Sequence, residues 1–229
     1  NMNSKYYDEG YFYLENNYEI IPSSNDSLNL QFTINENNET KVRKIIISGN
    51  DKTNDYVIRR ELKIHPGDIF SMKKLQESFG DVFRLNFFET VDPQVVPFSD
   101  TKDKVDINFK VIEKETGRAN FSMGYNEEYG FTGGGGFEFA NFLGRGQKLS
   151  INYSRGLKQN NQGTGNSQYS NNNNDYQSFS ISFSEPRINN TLNSVGFSYS
   201  HTERGKGDNS YLQYDIESDR ISTSIGRKF

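Results

Sequence analysis

The chain has 229 residues, a formal charge of −4, no cysteine and a mean hydropathy of −0.85. That length suits one or two domains. The missing thiols exclude a disulfide framework and thiolate chemistry, and the acidic balance gives no general attraction to nucleic acid. No run of about 18 apolar residues exists, which excludes a transmembrane helix; a barrel escapes that test, because lumen-facing residues dilute each strand's hydropathy.

Residues 1–41 open with NMNSKYYDEG, which carries no signal-peptide pattern and reads as the inside of a domain, so a piece of a longer chain is expected. SKYYDEGYF is a short helical stretch, and YLENNYEII and SLNLQFTIN are strand-like, separated by the turn-forming PSSND. Leu28, Leu30, Phe32 and Ile34 alternate with polar residues, which predicts a half-buried strand.

Residues 42–115 form a complete unit. VRKIIISG is a strand closed by Gly49, and NDKTNDYVIRREL is a helix with Asn, Thr and Asp as cap candidates. SMKKLQESFGDVFRL is a second helix, capped by Ser71, with Leu75, Phe79, Val82 and Phe83 at helical spacing. ETVDPQVVP and DKVDINFKVIE complete the order strand, helix, helix, strand, strand. YYDEGYFYLENNYEIIP…DSLNLQFTINEN resembles VFRLNFFETVDPQVVP…DKVDINFKVIEK, so residues 1–41 read as the back half of a second such unit.

From 116 onward the period is two. Phe121, Met123 and Tyr125 alternate with Asn120, Ser122 and Gly124. Leu149, Ile151 and Tyr153 alternate with Ser150, Asn152 and Ser154. The same pattern carries Phe179, Ile181 and Phe183, then Val195, Phe197 and Tyr199, then Ile221, Thr223 and Ile225. Aromatics on one face and Ser, Gly and Asn on the other describe a lipid face and a wet lumen, and about six strands of nine to eleven residues predict the start of a transmembrane barrel. A soluble antiparallel sheet is the competing reading. The second and fourth connections, FLGRGQ and EPRINN, are compact; the third is the Asn-rich run 157–175. Short turns are periplasmic in bacterial barrels, so residues 1–115 belong on the periplasmic side.

The chain offers little for catalysis. His65 and His201 lie in different domains, with no second ligand at metal spacing. Gly133–Gly136 is interior to a strand and no helix follows, so it is no phosphate loop. Glu127 and Glu128 fall in an outward turn without a pocket to separate their pKa values. No nucleophile triad is present. The expectation is a protein that is not an enzyme, with no cofactor and no metal.

The run VRKIIISGNDKTNDYVIRRELKIHPGDIF…LNFFETVDPQVVP…DKVDINFKVIEKETGRANFSMGYNEEYGFTGGGGFEFANFLGRGQ resembles the BamA family of barrel-assembly proteins. The likeness is dense over 42–155 and looser beyond, with strand–GND, VIRREL, LxFFETV and NFLGRGQ in the family's order. It implies α+β POTRA domains (β-α-α-β-β) followed by the N-terminal part of an antiparallel transmembrane β-barrel: the C-terminal half of one POTRA domain in 1–41, a complete one in 42–115, and the first strands of a sixteen-stranded barrel in 116–229.

The resemblance further implies a machine that inserts unfolded outer-membrane proteins into the lipid bilayer, located in the outer membrane with POTRA domains in the periplasm. Client strands would pair with the first barrel strand, Arg118, Ala119, Asn120, Phe121, Ser122, Met123, Gly124 and Tyr125. A POTRA edge along Glu89, Thr90, Val91, Val95 and Val96 would hold clients by strand addition. Arg59, Arg60 and Glu61 match the family's run where an accessory lipoprotein docks; a solvated helix face is the plain alternative. Other functional readings are a POTRA-containing secretion or translocation pore and an organellar import relative.

Overall fold

The computed structural model describes residues 2–22, 28–101, 103–126, 130–157, 176–205 and 214–228, in two units, Asn1–Lys114 and Glu115–Phe229. The first unit contains α1 (Met2–Asp8), β1 (Glu15–Pro22), β2 (Leu28–Asn35), β3 (Lys41–Ser48), α2 (Asp55–Arg59), α3 (Met72–Arg84), β4 (Phe88–Pro97) and β5 (Lys104–Glu113). Strands β3, β5 and β4 make one sheet with β5 in the middle, parallel to β3 and antiparallel to β4. Val105, Ile107, Phe109 and Val111 alternate along β5 and are buried with Val57 and Ile58 of α2 and Leu75 and Val82 of α3. Helix α3 starts where Ser71 Oγ accepts the Lys74 N–H at 3.3 Å, as the sequence predicts. Asp8 adds a second cap, its Oδ1 accepting the Lys73 N–H at 2.7 Å. Gly49 has a φ of 87°, and a side chain there would collide with the Val111 carbonyl, which explains glycine at the end of β3.

Three expectations need correction in this unit. Helix α2 is five residues long, shorter than the run NDKTNDYVIRREL suggested, and Asn54 precedes it without a side-chain cap bond. Phe79 and Phe83 of α3 are exposed and stack on each other, with centroids 6.0 Å apart, because the buried stripe is carried by Leu75, Ser78, Asp81 and Val82. Strand β2 is not half buried: Leu28, Leu30 and Phe32 are 70%, 55% and 53% exposed, whereas Val105, Ile107 and Phe109 are fully buried. The reason is coverage. β1 and β2 pair only with each other among the described residues, and no helix lies on their apolar face, while α2 and α3 cover β5.

The second unit is one antiparallel sheet in sequential order. Its strands are β6 (Gly117–Asn126), β7 (Gly130–Phe142), β8 (Gln147–Leu157), β9 (Tyr176–Glu185), β10 (Asn193–Arg204) and β11 (Ile216–Arg227). The cross-strand register keeps the two faces separate. Phe121, Phe137, Ile151, Ile181 and Tyr199 share one face; Ser122, Gly136, Ser150, Ser182, Ser198 and Ser222 share the other. Among the described residues of this unit no apolar side chain reaches full burial. A soluble sandwich would bury such a face in a core, so a bare aromatic face is what a lipid-facing barrel wall needs. The compact turn between β7 and β8 is tied by Asn141, whose Oδ1 accepts the Gly146 N–H at 2.7 Å. Glu127, Glu128 and nearly all of the Asn-rich run lie outside the described residues.

Candidate functional site

Strands β6 and β11 are the two edges of the six-stranded sheet. β6 pairs with β7 over ten successive positions, Gly117↔Phe139 to Asn126↔Gly130, without a bulge. It contains no proline, so every residue from Gly117 to Asn126 has an N–H to offer. Among the described residues, the predicted run Arg118 to Tyr125 therefore lies along an open edge. Phe121 is 86% exposed, its ring crossing Gly135 of the neighbouring strand. The glycines of β7 do more than loosen packing. A β-carbon on Gly134 would sit 2.8 Å from the Tyr153 carbonyl oxygen. On Gly136 it would sit 2.7 Å from the Ile151 carbonyl oxygen and 2.8 Å from Asn120 Oδ1, and would overlap the Asn152 carboxamide. Glycine lets Asn120 and Asn152, from the strands on either side, close over β7.

The second predicted edge also lies at the rim of its sheet, since among the described residues β4 pairs only with β5. Glu89, Thr90 and Val96 are exposed, Val91 is buried, and Val95 is intermediate. This edge is blunter than β6. Pro93 and Pro97 supply no N–H, and the register shifts between Phe88 and Thr90.

The run Arg59, Arg60, Glu61 does not form one exposed cluster. Arg59 is on the surface, held by Asp55 one turn earlier at 3.0 Å. The side chains of Arg60 and Glu61 are only 6% exposed, with Arg60 Nε 3.8 Å from Glu61 Oε1 and its guanidinium over the Tyr56 ring. The run straddles the end of a very short helix, and the turn that follows carries two of the three charges inward.

Cross-strand pairing also corrects the expectation that His201 has no second ligand at metal spacing. His201 pairs with Asp219 and Glu203 pairs with Glu217, all on one face. Ligand atoms of His201, Glu203 and Glu217 lie within 4.8 Å of one another. Nδ1 lies 2.9 Å from Asp219 and Nε2 3.0 Å from Glu203, so both ring nitrogens are already matched by carboxylates. The signal was legible only as His-x-Glu facing Glu-x-Asp across a hairpin. In the first unit, Asp106 accepts from Arg43, with Nε at 2.8 Å. That bond holds the Asp106 carboxyl below the usual carboxylate range.

Comparisons with known proteins agree with this geometry. Residues 40–114 match the POTRA family, described as "surface antigen variable number repeat", and residues 141–229 match the Omp85 superfamily domain. The chain is 29% identical over 189 residues to "outer membrane protein assembly factor BamA" of Nitratidesulfovibrio vulgaris, covering 82% of this chain and 22% of that protein. The protein of the same description in Neisseria meningitidis is 32% identical over 147 residues, covering 64% and 18%. The crystal structure of BamA from Haemophilus ducreyi lacking POTRA domains 1–3 superposes with a TM-score of 0.73 at 25% identity, covering 97% of this chain and 39% of that one.

A POTRA unit followed by antiparallel barrel strands defines an Omp85-type outer-membrane protein, with the strands in the outer membrane and the POTRA unit in the periplasm. Within that class the chain is similar to BamA. It spans about a fifth of the length of these curated relatives.

Proposed function

We propose that this chain is the part of an outer-membrane assembly factor that receives client strands. The observation that carries the reading is the β6 edge: ten residues, free of proline, in unbroken register with β7. In lipid an unsatisfied backbone group costs several kcal/mol, so a client strand gains by pairing there. Energy comes from burial and backbone pairing, and the reaction needs no catalytic side chain or cofactor. The blunter β4 edge, Glu89 to Val96, holds unfolded outer-membrane proteins by strand addition before transfer. Docking of an accessory lipoprotein at the 59–61 run rests on Arg59, the exposed member.

The domain reading follows the same logic. Residues 42–115 are a complete POTRA domain, 116–229 the first strands of the barrel, and 1–41 the back half of a preceding POTRA domain. Support for the last comes from the bare stripe Leu28, Leu30 and Phe32, which repeats the covered stripe of β5.

The test uses the full-length protein. With Ser122→Cys and cysteines along a client's terminal strand, a register-specific crosslink forms during assembly. Ser122→Pro removes an N–H from the edge and blocks assembly while the POTRA unit stays folded, whereas Ser122→Ala is mild. Crosslinks confined to β4 would refute templating at β6 and favour a secretion or translocation pore.

A further inference from the structure

Over β8 to β11 the face that carries the serines is one-sided in charge. Across β8, β9, β10 and β11 its charged residues are Lys148, Arg204 and Arg220, and among the described residues of these four strands no carboxylate shares that face; the one on β7, Glu138, stands opposite Arg118 of β6. Glu185, Glu203, Glu217 and Asp219 all fall on the aromatic face. Two of the three cations meet. Ser200, Thr202 and Arg204 of β10 and Ile216, Ser218 and Arg220 of β11 line a cleft of about 350 Å³.

The register sets the arrangement. Arg204 stands opposite Ile216 and Arg220 opposite Ser200, so the guanidinium-bearing residues occupy opposite corners. Between them Thr202 pairs with Ser218, and Ser178 Oγ lies 3.4 Å from Thr202 Oγ1, extending the hydroxyl row onto β9. Arg43, Arg59 and Arg84 each pair with a carboxylate, whereas Arg204 and Arg220 have no such partner among the described residues. Two like charges on one cleft repel, and an anion between them reverses that sign. Guanidinium forks from two directions, with hydroxyls between, suit a tetrahedral anion better than a planar carboxylate.

We propose that this cleft on the lumen face of the β10–β11 hairpin binds a phosphate-class oxyanion, with Arg204 and Arg220 as its charged ligands and the Thr202 and Ser218 hydroxyls beneath.

The test is titration calorimetry of inorganic phosphate into the full-length protein, refolded in detergent, at constant ionic strength. Wild type shows saturable binding at one site. Arg204→Gln and Arg220→Gln each weaken it by about tenfold or more, the loss of a charge-assisted hydrogen bond. Arg204→Lys with Arg220→Lys also weakens it, because charge is kept but the fork is lost. Lys148→Gln, on the same face outside the cleft, leaves binding unchanged. Heat-modifiable migration on a gel verifies that each variant is folded, and if one glutamine variant fails to refold the other carries the comparison. Absence of saturable binding in wild type overturns the proposal, as does unaltered binding in both glutamine variants. Acetate competing at equal concentration overturns the assignment to phosphate.

Discussion

Gly136→Ala probes the wall next to the β6 edge. The added β-carbon would lie 2.7 Å from the Ile151 carbonyl oxygen and 2.8 Å from Asn120 Oδ1. Comfortable carbon–oxygen contacts start near 3.3 Å, so the overlap is about half an ångström on each. The Asn120 and Asn152 carboxamides can rotate away. The Ile151 carbonyl cannot, because it belongs to the β7–β8 ladder, where Phe137 pairs with Ile151. Such overpacking costs about 1–3 kcal/mol. Replacing glycine returns about 0.5–1 kcal/mol through the unfolded chain. The net expectation is a loss of about 1–2 kcal/mol, only partly relieved by Asn152→Ala. Gly135→Ala is the control, since its nearest neighbours are the Phe121 ring at 3.2 Å, which can swing, and the Asn120 carbonyl oxygen at 3.3 Å. The assay is urea unfolding of the full-length protein from lipid vesicles, followed by tyrosine fluorescence. If Gly136→Ala proves as stable as Gly135→Ala, the close approach of β8 is not what selects glycine there.

Two further outcomes are expected. Ile151→Arg and Ile181→Arg should each cost about 2–4 kcal/mol if they sit near the bilayer midplane, while Ser150→Arg on the other face should cost little; equal losses in vesicle unfolding would contradict the face assignment. The Arg43–Asp106 pair should make the first unit acid-sensitive. Asp106 is held below its unfolded pKa of about 4, so its stabilisation is complete above that pH and fades as pH falls through the folded value. Asp106→Asn should flatten this dependence in urea melts read from the helical far-UV signal; parallel acid losses in both proteins would assign it elsewhere.

The candidate edges were partly legible in the chain. Phe121, Met123 and Tyr125 announce a strand with an apolar side, and Pro93 hints that its strand lies at a rim. Which rim stays open depends on strand order, and β6 is an edge because nothing among the described residues pairs with it beyond β7. Arg60 and Glu61 look like surface charges, since local spacing cannot say which way a turn carries the chain after a five-residue helix.

What the sequence determined by itself is everything governed by period and by local chemistry. Strict alternation assigned Ile151, Ile181 and Ser150 to their faces, because a strand turns each successive side chain over. Ser71 marked the start of α3, because its hydroxyl needs only a backbone N–H three residues on. Tertiary structure decided what depends on coverage and register. Leu28 and Val105 follow the same alternating pattern, yet only Val105 lies under helices. His201 meets Glu217, and Arg204 shares a cleft with Arg220, only because a hairpin aligns residues that are 16 positions apart in the chain. Burial and cross-strand contact are set by neighbours distant in sequence, and no local pattern carries that information.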